Sequence, residues 1–243
     1  MLQWSLVLFS VAACGRVDFG ELTLGGTDAS PSDANVAPRP IHQYSLNNSY
    51  ADDFGGPSLV GHGGGFFTGG YQFGPNQGLT VDDALPQDIY TVDIEFSFAD
   101  LAGWRKILDY QGLTLDNGFY TYESALQYVI VPEADFLTTP EMFTVDTQVR
   151  VTLTRDASTH VVGYIATAPV GAVRAADPAP PTGALGTAFE FDDPTRVAAL
   201  TGTTTTFFID DASTSGGEST SGTVRRIQIY DVALTAAQVA AAP

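Results

Sequence analysis

Basic residues and cysteine are what this chain has least of. Its 243 residues include 10 Lys and Arg, only one of them Lys, against 28 Asp and Glu. The formal net charge is therefore −18, although only 16% of residues are charged. A surface of that sign repels phosphate backbones and anionic lipid headgroups, which excludes nucleic acid as a partner. A lone cysteine, Cys14, excludes a disulfide framework. No apolar run reaches the roughly 20 residues that span a bilayer. What is present is 44% hydrophobic and 11% aromatic residues, too much for a disordered chain and enough for a buried core. The acidity leaves divalent cations as a class of ligand.

The most apolar stretch comes first. Residues 1–13, MLQWSLVLFSVAA, have the length of a signal-peptide apolar region, although no Lys or Arg precedes them. They end in Val11-Ala12-Ala13-Cys14, which resembles the lipobox of bacterial lipoproteins. That resemblance implies cleavage before Cys14, diacylglycerol on its thiol and acylation of the new amino terminus. Gly15 stands where an Asp often marks inner-membrane retention, so the implied location is the bacterial envelope, at the outer membrane or cell surface. Residues 14–40 are rich in Gly, Ala, Ser, Asp and Pro without a sustained period, which predicts a flexible tether. The folded domain is expected over 41–243.

From Ile41 onward the hydrophobic period is 2. Val92, Ile94, Phe96 and Phe98 alternate with Thr91, Asp93, Glu95 and Ser97, and Val149, Val151 and Leu153 alternate with Arg150, Thr152 and Thr154. Further strands are expected over 42–46, 104–110, 119–122, 126–131, 161–166, 207–210 and 224–230, separated by Gly-Gly and Asp-Asn-Gly turn signals. Many short strands with Gly-rich turns predict an all-β, antiparallel two-sheet sandwich. The helix expected is short and C-terminal: Thr235 with Gln238 forms a capping box ahead of 236–242. The Pro- and Ala-rich stretch 168–186 is expected to be a loop.

Several segments in order resemble LamG-like jelly-roll domains of the concanavalin A-like lectin/glucanase superfamily. They are HQYSL at 42–46, Thr91 to Phe98, WRKILD at 104–109, Val149 to Thr154 leading to Gly163-Tyr164, FFIDD at 207–211, and GTVRRIQIYDVAL at 222–234. The resemblance spans 41–241 and implies a jelly roll that engages a glycan or a surface protein without catalysis. Arg225 and Arg226 stand where the closing motif often has Asp, so no acidic site carries over there.

The residues bear on three chemistries. In the glucanase branch a Glu-x-Asp-x-Glu strand sets carboxylates on one face for glycoside hydrolysis; here Asp93 and Glu95 hold the last two places, but Thr91 replaces the first carboxylate and has no base to activate it. Glycoside activity through Asp93 and Glu95 is thus the alternative, a ligandless structural role is another, and a non-enzyme is the expectation. His42, His62 and His160 have no metal or triad spacing, and GHGGG at 61–65 lacks the G-x-S-x-G elbow that would make it an oxyanion loop. Calcium is the cofactor expectation. Asp-Asp pairs stand at 52–53, 82–83, 192–193 and 210–211, and Asp210, Asp211 and Glu218 flank a Gly-rich loop able to wrap an ion, as LamG-like domains often do at a loop rim. For a sugar ligand, exposed aromatic faces are needed; Tyr120 and Tyr122 share strand parity, while Tyr50, Phe66, Phe67 and Tyr71 cluster near Gly-rich turns.

Overall fold

In the computed structural model, the alternating segment around Ile94 is the central strand of a two-sheet sandwich. The structure describes residues 38–86, 88–130, 134–137, 143–167, 186–193 and 203–242. The signal segment, Cys14 and the tether up to residue 37 lie outside the described residues, as does 168–185.

The strands in chain order are β1 (His42–Tyr44), β2 (Val60–Gly61), β3 (Gly65–Phe67), β4 (Gly70–Phe73), β5 (Leu79–Asp82), β6 (Tyr90–Phe98) and β7 (Trp104–Asp109). They continue with β8 (Gly118–Tyr122), β9 (Ala125–Ile130), β10 (Ala134–Leu137), β11 (Val149–Arg155), β12 (His160–Thr167), β13 (Gly186–Asp192), β14 (Thr204–Phe207) and β15 (Gly222–Tyr230), and then α1 (Ala236–Ala241). The first sheet has the order β13-β12-β11-β6-β15-β4-β3, with β1 also on β15; the second has β10-β9-β8-β7-β14-β5-β2. All pairings are antiparallel. The antiparallel two-sheet sandwich expected from the period, with the jelly roll that the resemblance implies, is the fold.

Period 2 decides which side chains meet between the sheets. Val92 and Ile94 lie opposite Leu153 and Val151 on one side and Ile229 and Ile227 on the other. They face Leu79, Val81, Leu108, Phe119 and Phe207 of the second sheet in one core. Phe73 and Phe208 stack across it with centroids 4.6 Å apart. Each large apolar side chain so buried stabilises the fold by about 1.5–3 kcal/mol.

Three details depart from the sequence pattern. The strand expected over 207–210 is displaced to Thr204–Phe207, because Phe208 adopts a φ of 61° and turns the chain out of the ladder. The short strands β2 to β5, and β13, are not among those expected, although Leu79–Asp82 and residues 189–192 do alternate. The polar side of β6 is also buried: Thr91, Asp93, Glu95 and Ser97 are all at most 6% exposed. The C-terminal segment covers part of that side. Thr91 Oγ1 donates to the Val232 carbonyl and accepts the Leu234 N–H, and Leu234 and Val239 pack on Tyr164 and Tyr230 in a second small cluster. The capping box of α1 forms as the sequence predicts, with the Gln238 N–H bonded to the Thr235 hydroxyl and the Gln238 side chain returning to the Thr235 N–H. Among the described residues no helix is long and apolar enough to cross a membrane.

Candidate functional site

The carboxylates of β6 are tied to arginines. Asp93 and Glu95 share a face, as alternation requires, but Asp93 Oδ2 accepts from Arg150 Nε at 2.8 Å and from the Thr152 hydroxyl at 2.5 Å. Arg150 in turn donates to the Ala242 carbonyl just after α1. Glu95 accepts from Arg226, one of the two arginines singled out in the closing motif. Burial raises the Glu95 pKa, with Arg226 working against the rise. A nucleophile and acid for glycoside hydrolysis need an open cleft and about 5–5.5 Å between free carboxyls; here both groups are buried in ion pairs.

The histidines and three of the acidic pairs serve the framework. His42 meets Asp52 at 2.7 Å, and Asp52 also takes the N–H groups of Gln43, Phe54 and Gly56, which closes the turn after β1. Burial opposes the Asp52 charge, but these bonds together hold its carboxyl below the usual range. His160 meets Asp192, Arg155 meets Asp193, and Asp82 takes the Thr204 hydroxyl. His62 meets the Thr80 hydroxyl.

The fourth acidic pair is in a different setting, on the outer side of the second sheet. The loop between β14 and β15 leaves the ladder at Phe208 and rejoins β7 where the Glu218 carbonyl accepts the Lys106 N–H at 2.8 Å. Between these points it lays Asp211 over the only lysine in the chain. Lys106 is 1% exposed; its Nζ is 2.5 Å from Asp211 Oδ2, 3.2 Å from Asp109 Oδ2 and 4.9 Å from the centre of the Tyr120 ring. Asp109 Oδ1 takes the N–H groups of Gln111 and Leu113. The Tyr120 hydroxyl donates to Asp116 at 3.0 Å and lies 3.3 Å from Asp211 Oδ2. Burial opposes the charge on Asp211, yet Lys106 and the N–H groups of Ser213 and Thr214 hold its carboxyl below the usual range. Glu218 is the reverse case. Burial first, then repulsion from Asp116, Asp210 and Asp211, pushes it up to about 7 against the pull of Lys106, and its buried Oε2 has no hydrogen-bond donor.

Asp210, Asp211 and Glu218 are therefore close together, as the spacing predicts, but the oxygens of Asp210 and Asp211 accept from protein donors. Asp210 Oδ2 takes the Thr214 hydroxyl and the Glu218 N–H, its Oδ1 takes the Asp211 N–H, and Asp211 Oδ1 takes the Ser213 N–H. Calcium requires 6–8 oxygens turned inward. Among the described residues no three His, Cys, Asp or Glu side chains are grouped so as to hold an ion. The residues that sequence reasoning did not single out are Lys106, Asp109 and Asp116; the one available signal was that the sole lysine of so acidic a chain falls inside a strand.

Further along the same face lies an aromatic pair. Trp104 stands opposite Tyr122 in the β7–β8 ladder, with ring centroids 4.8 Å apart, and Tyr120 meets the indole edge-on at 5.8 Å. Tyr120 is fully buried, whereas Tyr122 is 41% exposed and Trp104 is half-buried. The shared parity of the two tyrosines thus divides into one interior and one surface ring. Arg105, next to Trp104 in β7, forms an ion pair with Asp100.

No family model and no curated protein matches the chain. Solved structures do. The binding domain of botulinum neurotoxin serotype D aligns with a TM-score of 0.55 at 11% identity, covering 83% of this chain and 50% of that one. The serotype C1 binding domain gives 0.56 at 12%, covering 83% and 51%. A Trypanosoma rangeli sialidase in complex with 2,3-difluorosialic acid gives 0.52 at 14%, covering 82% and 31%. The chain thus spans about half the toxin domains and a third of the sialidase, and at these identities the likeness is one of fold.

Proposed function

We propose that the protein is a non-catalytic binding module that engages a glycan through the outer face of its second sheet, held at the bacterial surface by a lipid on Cys14. The observation that carries the reading is the Trp104–Tyr122 pair, a surface aromatic platform. Sugar rings present C–H faces to such a platform and hydroxyls to polar groups, the amphipathic match that makes Trp and Tyr frequent anchors. The neighbouring folds support it in kind, since two are binding domains and the third is a sialidase with a sugar analogue bound. The buried, arginine-paired state of Asp93 and Glu95 favours binding over hydrolysis.

A glycan array on the domain, followed by titration of the best ligand, tests this. Trp104→Ala and Tyr122→Ala should each weaken binding by about 30-fold, the scale of a 2 kcal/mol anchor. An array that stays empty while a surface protein is captured would move the reading to a protein ligand. An array empty in every respect favours a structural envelope component. The anchor is tested separately: mass spectrometry of the protein from cells should find an acylated Cys14 amino terminus, and an intact Met1 without acyl mass would refute it.

A further inference from the structure

The run Gly63-Gly64-Gly65 is used by none of the features above. Two of its members have structural reasons to be glycine. Gly63 has a φ of +117°, which side-chain-bearing residues avoid, and a Cβ on Gly64 would lie 2.2 Å from the Gln72 carbonyl oxygen. Gly65 has neither reason: its φ is ordinary and a Cβ there would meet nothing within 4 Å. It opens β3 directly opposite Gln72, and glycine in a strand is one mark of a place where a ligand approaches the backbone closely. The missing side chain leaves open a depression of about 390 Å³, the size of a small-ligand site.

From this arrangement we infer that the depression is a binding site for a neutral sugar residue, separate from the Trp104–Tyr122 face. Its polar lining residues are Gln72, Gln77 and Ser221, and the glycine turn, Phe66 and Phe73 line the rest. No ionisable side chain lines it, in a chain of net charge −18. An anion would find no countercharge and a metal cation no carboxylate, whereas amides and hydroxyls match a polyol. The walls are fixed by one buried group. The Tyr71 hydroxyl accepts the Gly64 N–H at 2.9 Å and donates to the Gln77 carbonyl at 2.9 Å, joining the turn before β3 to the loop after β4. Gln77 Oε1 takes the Gly74 N–H, so its NH₂ is left to donate to a ligand. Phe66 in turn packs on Tyr50, with ring centroids 4.5 Å apart. Tyr71 is a positioning residue in this arrangement.

The test uses ligand-observed and amide NMR on the full folded domain, with methyl pyranosides of glucose, galactose, mannose and N-acetylglucosamine as neutral probes and methyl sialoside as the charged comparison. A neutral pyranoside should bind in the millimolar range and shift the amides of Gly63 to Gly65. Gly65→Leu, whose Cβ has open space and whose side chain can extend into the depression, should lower the affinity at least tenfold with little change in melting temperature. Tyr71→Phe should weaken it less, by loosening both walls. Trp104→Ala should leave this binding intact. If no neutral pyranoside shifts these amides, if the sialoside alone does, or if Gly65→Leu binds like the parent, the inference is wrong. A ligand lost in Trp104→Ala but kept in Gly65→Leu would overturn this site while leaving the proposed function standing.

Discussion

At the residue scale the most informative group is Glu218. Its folded pKa of about 7 lies above the 4.5 of a free glutamate, because burial and three neighbouring carboxylates all favour the neutral form. The folded state thus holds a proton that the unfolded chain releases between those values, and the stabilisation is full below about 4.5 and lost as pH rises through 7. Thermal melts of the parent and of Glu218→Gln from pH 5 to 8 check this. The parent should lose about 2–4 °C across that range, over and above the variant, which should melt higher than the parent at pH 8. Lys106 is the other decisive residue. Lys106→Met leaves Asp211 and Asp109 facing each other without a cation in a buried place, which should cost about 3–5 kcal/mol by chemical denaturation. Lys106→Met with Asp211→Asn should recover part of the loss.

At the scale of elements, α1 is short, and its hold on the first sheet rests on its cap and a few apolar contacts. Thr235→Ala removes the hydroxyl that accepts the Gln238 N–H and should destabilise by about 1 kcal/mol, with faster amide exchange confined to 236–242 and to the Leu234–Thr91 contact. Exchange that rises evenly over the whole domain would contradict that local role. The cap was legible because both of its partners lie within one turn of sequence, and β6 was legible because Val92, Ile94, Phe96 and Phe98 obey a strict period. The burial of the opposite side of β6 was not, since it depends on Tyr164, Leu234 and Val239 arriving from remote segments. Strands β3 and β4 escaped notice because GFFTGGYQF has apolar residues without alternation, and β14 shifted because the φ of Phe208 is a property of the folded loop. The site was half readable for the same reason. Asp210, Asp211 and Glu218 are neighbours in sequence, while the lysine that orients them lies 105 positions from Asp211.

Across the whole molecule, a net charge of −18 means that the folded state is strained by its own field, and salt should relieve it. Sodium chloride should raise the melting temperature smoothly. Calcium at matched ionic strength should add nothing further, because the oxygens of Asp210 and Asp211 already face protein donors. A calcium-specific rise of several degrees, reversed by chelator and abolished in Asp210→Ala with Asp211→Ala, would show that the loop rearranges to take the ion. The sandwich itself places two faces at the disposal of a ligand, one closed by α1 and arginine pairs, the other carrying surface aromatics. On the reading proposed above, the ligand takes the aromatic face. The most direct measurement is to incubate the domain with its best array ligand and assay bound sugar and new reducing ends in the same sample. Expected is intact oligosaccharide held by the parent and released by Trp104→Ala, with no reducing ends above a protein-free control. Reducing ends that accumulate with time and vanish in Glu95→Gln would contradict it.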